Sequence, residues 1–143
     1  MAKSVFISSS VTQEALRQAP KPGKHPLLSF RDAVSILGMP PGLIEILENQ
    51  EVTRFGNPSE VHDLEADLWI GLEGEVTFVV GGELVEKTPH PTKQKEWKGT
   101  AIHGGEEYVV SPRDILYIPP GEPHTHYGSG RLYIVKIPTK RES

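Results

Sequence analysis

Three side chains that can bind metal lie close together in the stretch from residue 60 to residue 74. Glu60 and His62 are two positions apart, and Asp67 follows after a short connection. Side chains two positions apart on a strand point to the same face. Two short strands joined tightly would therefore direct two carboxylates and one imidazole at one point. Such a group suits zinc, manganese, iron or nickel, so the stretch predicts a divalent metal site.

Two further histidines lie in a second stretch, which begins at Asp114 and ends at His126. It reads Asp-Ile-Leu-Tyr-Ile-Pro-Pro-Gly-Glu-Pro-His-Thr-His. The pattern predicts a strand, a Pro-Gly turn and the start of another strand. His124 and His126 would share one face of that last strand.

The first stretch resembles the first motif of the cupin superfamily, G-(x)5-H-x-H-(x)3-4-E-(x)6-G. Glu60 and His62 stand at its two histidine positions, and Asp67 stands at its glutamate position. Gly74 matches the closing glycine. The departures are a carboxylate in place of the first imidazole and an aspartate that is one methylene shorter than glutamate.

The second stretch resembles the second cupin motif, G-(x)5-P-x-G-(x)2-H-(x)3-N. Pro119, Gly121 and His124 match it. Arg113 replaces the first glycine, and Gly128 replaces the final asparagine. The motifs and the strand-rich tract around them cover about residues 43 to 137, which is most of the chain.

The resemblance implies an all-β, cupin-type jelly-roll barrel with its site inside. The sequence independently favours a β sandwich or barrel, because its 14 glycines and 13 prolines separate short apolar segments. From residue 52 onward it predicts about nine short strands, and closing such a sheet removes unpaired edges.

Site roles follow from the resemblance. It places metal ligands at His62, Asp67 and His124, with Glu60 as a fourth, and the donor set favours iron, manganese or zinc. Glu60 or His126 would transfer a proton, and His126 would otherwise coordinate the metal or line the pocket.

Four further residues are candidates for the wall of the substrate pocket. Trp69 has the same strand parity as Asp67, so it would stack on a substrate or pack in the core. Tyr117 and Tyr133 would supply polar contacts or be structural. Arg131 would grip a carboxylate in a bidentate pair or be solvated.

The N-terminal part is predicted to be an arm, residues 1 to 28, before a single barrel domain, residues 29 to 143. Within the arm, Val5 to Ile7 would form a short strand, residues 12 to 19 a helical turn capped by Thr12, and residues 21 to 26 an extended linker. A helix that opens at Ser29 would cover the sheet, because apolar residues recur at helical spacing from Phe30 to Leu37. Leu43 to Glu48 would form a strand.

Composition limits the function classes. The chain has 143 residues, no cysteine and a net charge of −4 with interspersed signs. Disulfides and thiolate chemistry are excluded, and nucleic-acid binding is disfavoured. No segment has the length of a membrane helix or of a signal-peptide core, so a cytoplasmic location is predicted.

Two functions remain open at this point. The first is a metal-dependent enzyme of the oxygenase, isomerase or lyase type that acts on a small molecule. The second is a binding or sensing protein that holds a small ligand in the same cavity without turnover. The resemblance also implies a homodimer that pairs through sheets or exchanges the N-terminal arm.

Overall fold

The computed structural model describes residues 4–93 and 95–139, which form antiparallel β-strands and one short helix. None of the described residues forms a helix that is long and apolar enough to cross a membrane. The elements are α1 Ser9–Leu16, β1 Gly23–Arg31, β2 Leu43–Val52, β3 Ser59–His62, β4 Glu65–Val80, β5 Glu83–Val85, β6 Thr88–Pro89, β7 Glu96–Gly99, β8 Ala101–His103, β9 Glu106–Val110, β10 Ile115–Ile118 and β11 His124–Pro138.

The main sheet is organised around its two longest strands, β4 and β11. Its hydrogen-bonded order is β1-β2-β11-β3-β7-β6, while β4 pairs with β11 and also with β9 and β10. Strands β5 and β8 form a separate pair. The path through the described strands is open, so the predicted closure of the sheet on itself is not seen, although the all-β architecture is confirmed.

Strands β4 and β11 bend sharply along their length. His124 and Lys136 lie near opposite ends of β11, and a straight strand would separate them by about 40 Å. Both nevertheless lie within 3.5 Å of the Asp67 carboxylate. A Cβ on Gly74 of β4 would come 2.4 Å from the carbonyl oxygen of Ser129, so this close approach of β4 to β11 requires glycine. The curvature therefore brings the two sequence motifs together.

The core lies between the curled layers. It is formed by alternate residues that point inward from the long strands, with Trp69, Phe78, Leu132 and Ile134 among its buried members. On β10 the same alternation buries Ile118. One end of this inner face is polar, and there the candidate site lies.

Among the N-terminal expectations, the helix at Ser29 and the strand at Val5 to Ile7 were wrong, whereas the helical turn predicted within residues 12 to 19 overlaps the helix of the structure. Ser29 and Phe30 belong to β1, which pairs with β2, so no helix opens at Ser29. The apolar residues at helical spacing do not form one packed face, because Leu37 is fully exposed. The backbone of this segment forms its hydrogen bonds with β2, whereas a helix would form them internally. The strand predicted for Leu43 to Glu48 is confirmed as part of β2.

The short covering helix lies earlier in the chain than the one predicted at Ser29. Helix α1 begins at Ser9, and its N-cap is Ser8 rather than Thr12, because the Ser8 hydroxyl accepts from the N–H of Val11 at 3.3 Å. No strand forms at Val5 to Ile7. The division into arm and barrel stays a prediction, and β1 runs across its boundary at residues 28 and 29.

Candidate metal centre

Strand pairing brings the two motifs into one site. Glu60 on β3 lies directly opposite His124, the first residue of β11. His62 ends β3, and Asp67 lies near the start of β4. These four side chains therefore come from three neighbouring strands, and they line one cavity.

The ligand atoms lie at separations that suit a bound ion. His62 Nε2 is 3.4 Å from Glu60 Oε2 and 3.9 Å from Asp67 Oδ2. His124 Nε2 is 3.4 Å from Asp67 Oδ2. Ligands at about 2.0–2.2 Å from one metal are themselves roughly 3–3.5 Å apart. Candidate donor atoms of Glu60, His62 and His124 all lie within 4.8 Å of one another.

The Nδ1 atom of each histidine has a hydrogen-bond partner that fixes the orientation of the ring. His62 Nδ1 lies 2.7 Å from Glu96 Oε1, and His124 Nδ1 lies 3.0 Å from the backbone oxygen of Glu122. These acceptors take the proton on Nδ1, so each Nε2 can bind a metal ion when it carries no proton. Without a metal, His124 Nε2 instead donates to Asp67. Metal-binding histidines are normally fixed in this way. His62 Nε2 is buried and makes no hydrogen bond, so the residues fit a metal ion.

The charges of the site support ionised carboxylates. Burial by itself would raise the pKa of Asp67, but the hydrogen bond from His124 and the charge of Lys136 hold that pKa well below its usual value. Lys136 lies 3.1 Å from Glu65 and 3.5 Å from Asp67. These acids raise the pKa of Lys136 although burial opposes them. Asp67 is therefore an anionic donor at neutral pH.

His126 lines the cavity in a different environment. Its Nδ1 lies 2.6 Å from the side-chain amide of Asn49, and its ring packs against Trp69 and Phe78. Burial, together with the charge of Lys24, holds the pKa of His126 well below its usual value. The potential metal donors among the described residues form two groups, one of Glu60, His62 and His124 and one of His62, Glu65 and Asp67, and His126 is in neither. His126 is therefore a neutral part of the pocket wall.

The cavity is small and opens to solvent beside the four candidate ligands. Its volume is about 70 Å³, and Trp69 and Ile134 contribute its apolar wall. One water molecule occupies about 30 Å³ of liquid. The cavity therefore suits a ligand of a few heavy atoms.

Comparison with solved structures supports the fold assignment. BH2720 from Bacillus halodurans superposes with a TM-score of 0.54 at 16% identity, over 96% of this chain and 83% of that one. The antiparallel pairing of strands around the two motifs agrees with the predicted all-β architecture. This is a cupin-type fold. No protein-family model and no curated protein matches the chain.

Two other solved structures align with lower TM-scores. Fe(II) HppE aligns with a TM-score of 0.47 at 12% identity, over 67% of this chain and 43% of its own. A protein of unknown function from Rhizobium leguminosarum aligns with a TM-score of 0.49 at 20% identity, over 96% and 99%. The chain spans less than half the length of HppE. These similarities concern the fold and not the function of this chain.

The four predicted pocket residues lie in different parts of the cupin-type fold. Trp69 lines the cavity and also belongs to the core. Tyr117 does not reach the cavity, because it shares the outer face of β10 with Ile115 and is 54% exposed. The Tyr133 hydroxyl bonds to Thr12 of α1 on the outside of the sheet.

Arg131 also lies outside the cavity, contrary to the sequence expectation. Its Nε donates to Glu48 Oε1 at 2.8 Å, and its Nη atoms donate to the backbone oxygens of Leu16 and Gln18 at 2.6 and 2.5 Å. The carboxylate that it grips is therefore part of the protein. The strand parity of Arg131 is opposite to that of Leu132 and Ile134, which face inward.

Three charged residues of the site escaped the sequence analysis. Lys136 lies on β11 with the same parity as Leu132 and Ile134, so strand alternation could have identified it as inward-facing. Lys24 lies in a segment interpreted as a linker. Glu96 follows a charged loop, and only the pairing of β3 with β7 places it beside His62.

Proposed function

We propose that this chain is a metal-dependent enzyme that acts on a small molecule. Its donor set is Glu60, His62, Asp67 and His124. The observation that carries the proposal is the arrangement of the imidazoles, whose Nε2 atoms meet at one cavity while acceptors fix both Nδ1 atoms. Oxygen and nitrogen donors without sulfur favour iron, manganese or zinc.

The chain's own residues divide the remaining work. A divalent ion held there supplies a Lewis acid for an oxygen atom of the substrate. Lys136 balances the charge of Asp67, and Trp69 excludes water from the floor of the cavity. Glu60 is the most exposed of the four donors, so we assign proton exchange with solvent to it rather than to the buried His126. Oxygenase, isomerase and lyase reactions all fit this arrangement.

Metal content tests the proposal directly. Protein produced without a histidine tag would be stripped with a chelator and incubated separately with manganese, iron(II) under nitrogen, and zinc. After dialysis, we expect about one ion per chain for at least one of these metals, measured by inductively coupled plasma mass spectrometry. Retention of none of them would exclude the metal centre, and binding of a small acid by metal-free protein would then support a non-catalytic binding protein.

We further propose a homodimer formed through the outer face around β10. Within the described chain, β10 pairs with β4 alone, so its other edge is free. Its sequence is Ile-Leu-Tyr-Ile, and Ile115 and Tyr117 are 66% and 54% exposed. An uncharged apolar edge strand normally needs a cover. A second copy in antiparallel register would cover this edge and both side chains.

Replacing Tyr117 with lysine should convert the dimer to a monomer, because two like charges would meet near the two-fold axis. Size-exclusion chromatography with light scattering would report the mass. Leu37→Lys is the matched control, since Leu37 is fully exposed far from β10 in the sequence and should leave the dimer intact. A monomeric wild-type protein would contradict the proposal. A cytoplasmic location and the absence of nucleic-acid binding stay predictions.

A further inference from the structure

Lys24 is a charged residue of the cavity that the proposed metal centre does not use. It lies on β1, in the segment interpreted from the sequence as a linker, and it lines the cavity beside Glu60 and Lys136. Lys136 is engaged by Glu65 and Asp67. Among the described residues, no carboxylate lies within 4.0 Å of the Lys24 ammonium group, and Lys24 forms no side-chain hydrogen bond.

Glu60 compensates the charge of Lys24 at a longer range than a close ion pair. Partial burial lowers the pKa of Lys24, and Glu60 is the acid that most opposes this effect. Glu60 is also one of the proposed metal ligands, so its negative charge would be shared with a bound ion. The other cavity carboxylate on this side, Glu45, accepts a hydrogen bond from Ser29 at 2.6 Å. With Glu60 engaged by a metal ion, a lysine at the mouth of the cavity that forms no close ion pair would favour an anionic ligand.

The position of Lys24 also sets the size of that ligand. The residue is exposed at the mouth of the cavity, whereas His62 and His124 are buried deeper. The cavity of about 70 Å³ between them holds only a few heavy atoms. The part of a ligand inside the cavity is therefore short, so an anionic group at Lys24 would lie close to an oxygen donor at the four candidate ligands.

We propose that Lys24 binds the carboxylate of the substrate, and that the substrates are small carboxylic acids with a second oxygen donor directed at the four candidate ligands. The inference rests on the proposed function, because the second donor needs the metal centre. Lys24 is then a specificity residue that selects charged acids over neutral amides of the same shape. Arginine at this position would retain the charge, whereas glutamine would retain only hydrogen bonding.

The test uses oxalate and its neutral counterpart oxamide as probes of manganese-loaded full-length protein. Binding would be measured by isothermal titration calorimetry and checked by tryptophan fluorescence, since Trp69 lines the cavity. Lys24→Gln should weaken oxalate binding by about tenfold, as expected for loss of a partly desolvated charge pair. Lys24→Arg should retain most of the affinity, and oxamide should bind weakly to every variant. Lys21→Gln, close by in sequence, is the matched control and should change nothing.

The outcomes separate this inference from the proposed function. If Lys24→Gln retains manganese but binds oxalate as tightly as wild type, the role of Lys24 is wrong and the metal centre stands. If manganese-loaded wild type does not bind oxalate, the substrate class is wrong. If wild type holds no metal, the proposed function fails, and an equal oxalate affinity of metal-free wild type and Lys24→Gln would overturn the inference as well.

Discussion

Replacing His124 with alanine is expected to lower the metal content from about one ion per chain to less than about a tenth of that value. The substitution removes the Nε2 donor and leaves two carboxylates, Glu60 and Asp67, close to a single imidazole. His62→Ala should have the same effect, because its Nε2 is the buried donor without a hydrogen-bond partner. Elemental analysis after dialysis would measure both, with circular dichroism to confirm that each variant is folded.

A graded variant shows whether the loss comes from the proposed geometry. Glu96→Gln keeps the Nε2 atom of His62 and changes only the acceptor that orients the ring. Loss of such an orienting group typically weakens metal affinity by about 10–100-fold. His90→Ala is the control, because the His90 ring accepts only from nearby groups of an exposed loop, at residues 92 and 93. Full metal content in His124→Ala would place the ion somewhere else.

Local spacing was enough to predict that the four candidate ligands lie together. The interval between Glu60 and His62 and the Pro-Gly turn before His124 are properties of short segments, so the sequence displays them directly. Alternation along a strand also predicted that Trp69 shares the side of Asp67, and both line the cavity. The residues that hold these groups in place come from distant strands, and single-strand patterns do not show which strands pair.

The errors have the same physical origin. Tyr133 and Arg131 point to the outer face because their parity on β11 is opposite to that of Ile134, yet an unbroken run of apolar residues conceals which parity faces inward. The predicted helix at Ser29 failed because tertiary pairing with β2 overrides a weak helical pattern. Lys24 was missed because its segment was interpreted as a linker, and a linker has no face that points to a cavity.

The N-terminal segment is held to the sheet by a buried ion pair, and breaking that pair should strongly destabilise the protein. Glu48 is 1% exposed, and its carboxylate accepts from Arg131 Nε at 2.8 Å. His25 Nε2 lies 2.6 Å from the other carboxylate oxygen. Arg131 also donates to the backbone oxygens of Leu16 and Gln18. One guanidinium group therefore links β2, β11, the last residue of α1 and the segment that follows it.

Arg131→Met should lower the free energy of unfolding by roughly 3–5 kcal/mol, because it leaves the buried Glu48 carboxylate without its main partner. Urea denaturation followed by circular dichroism would measure the loss. Limited proteolysis should then cleave near residues 16 to 20, whose backbone acceptors lose their donor. Arg17→Met is the matched control, because its ion pair with Glu14 is exposed and should contribute less than about 1 kcal/mol.

The double variant Arg131→Met with Glu48→Gln separates charge from packing. If the cost of Arg131→Met comes from the unpaired carboxylate, neutralising Glu48 should restore a large part of the stability. The sum of the stability losses in the two single variants should then exceed the loss in the double variant.

Burial alone would raise the pKa of Glu48, but the hydrogen bonds from Arg131 and from the backbone N–H of Lys21 lower it. A lowered pKa in the folded state means that this stabilisation is present at neutral pH and is lost as the pH falls through the carboxylate range. Wild type should therefore lose stability in acid faster than Glu48→Gln, and parallel acid curves for the two proteins would contradict an ionised Glu48.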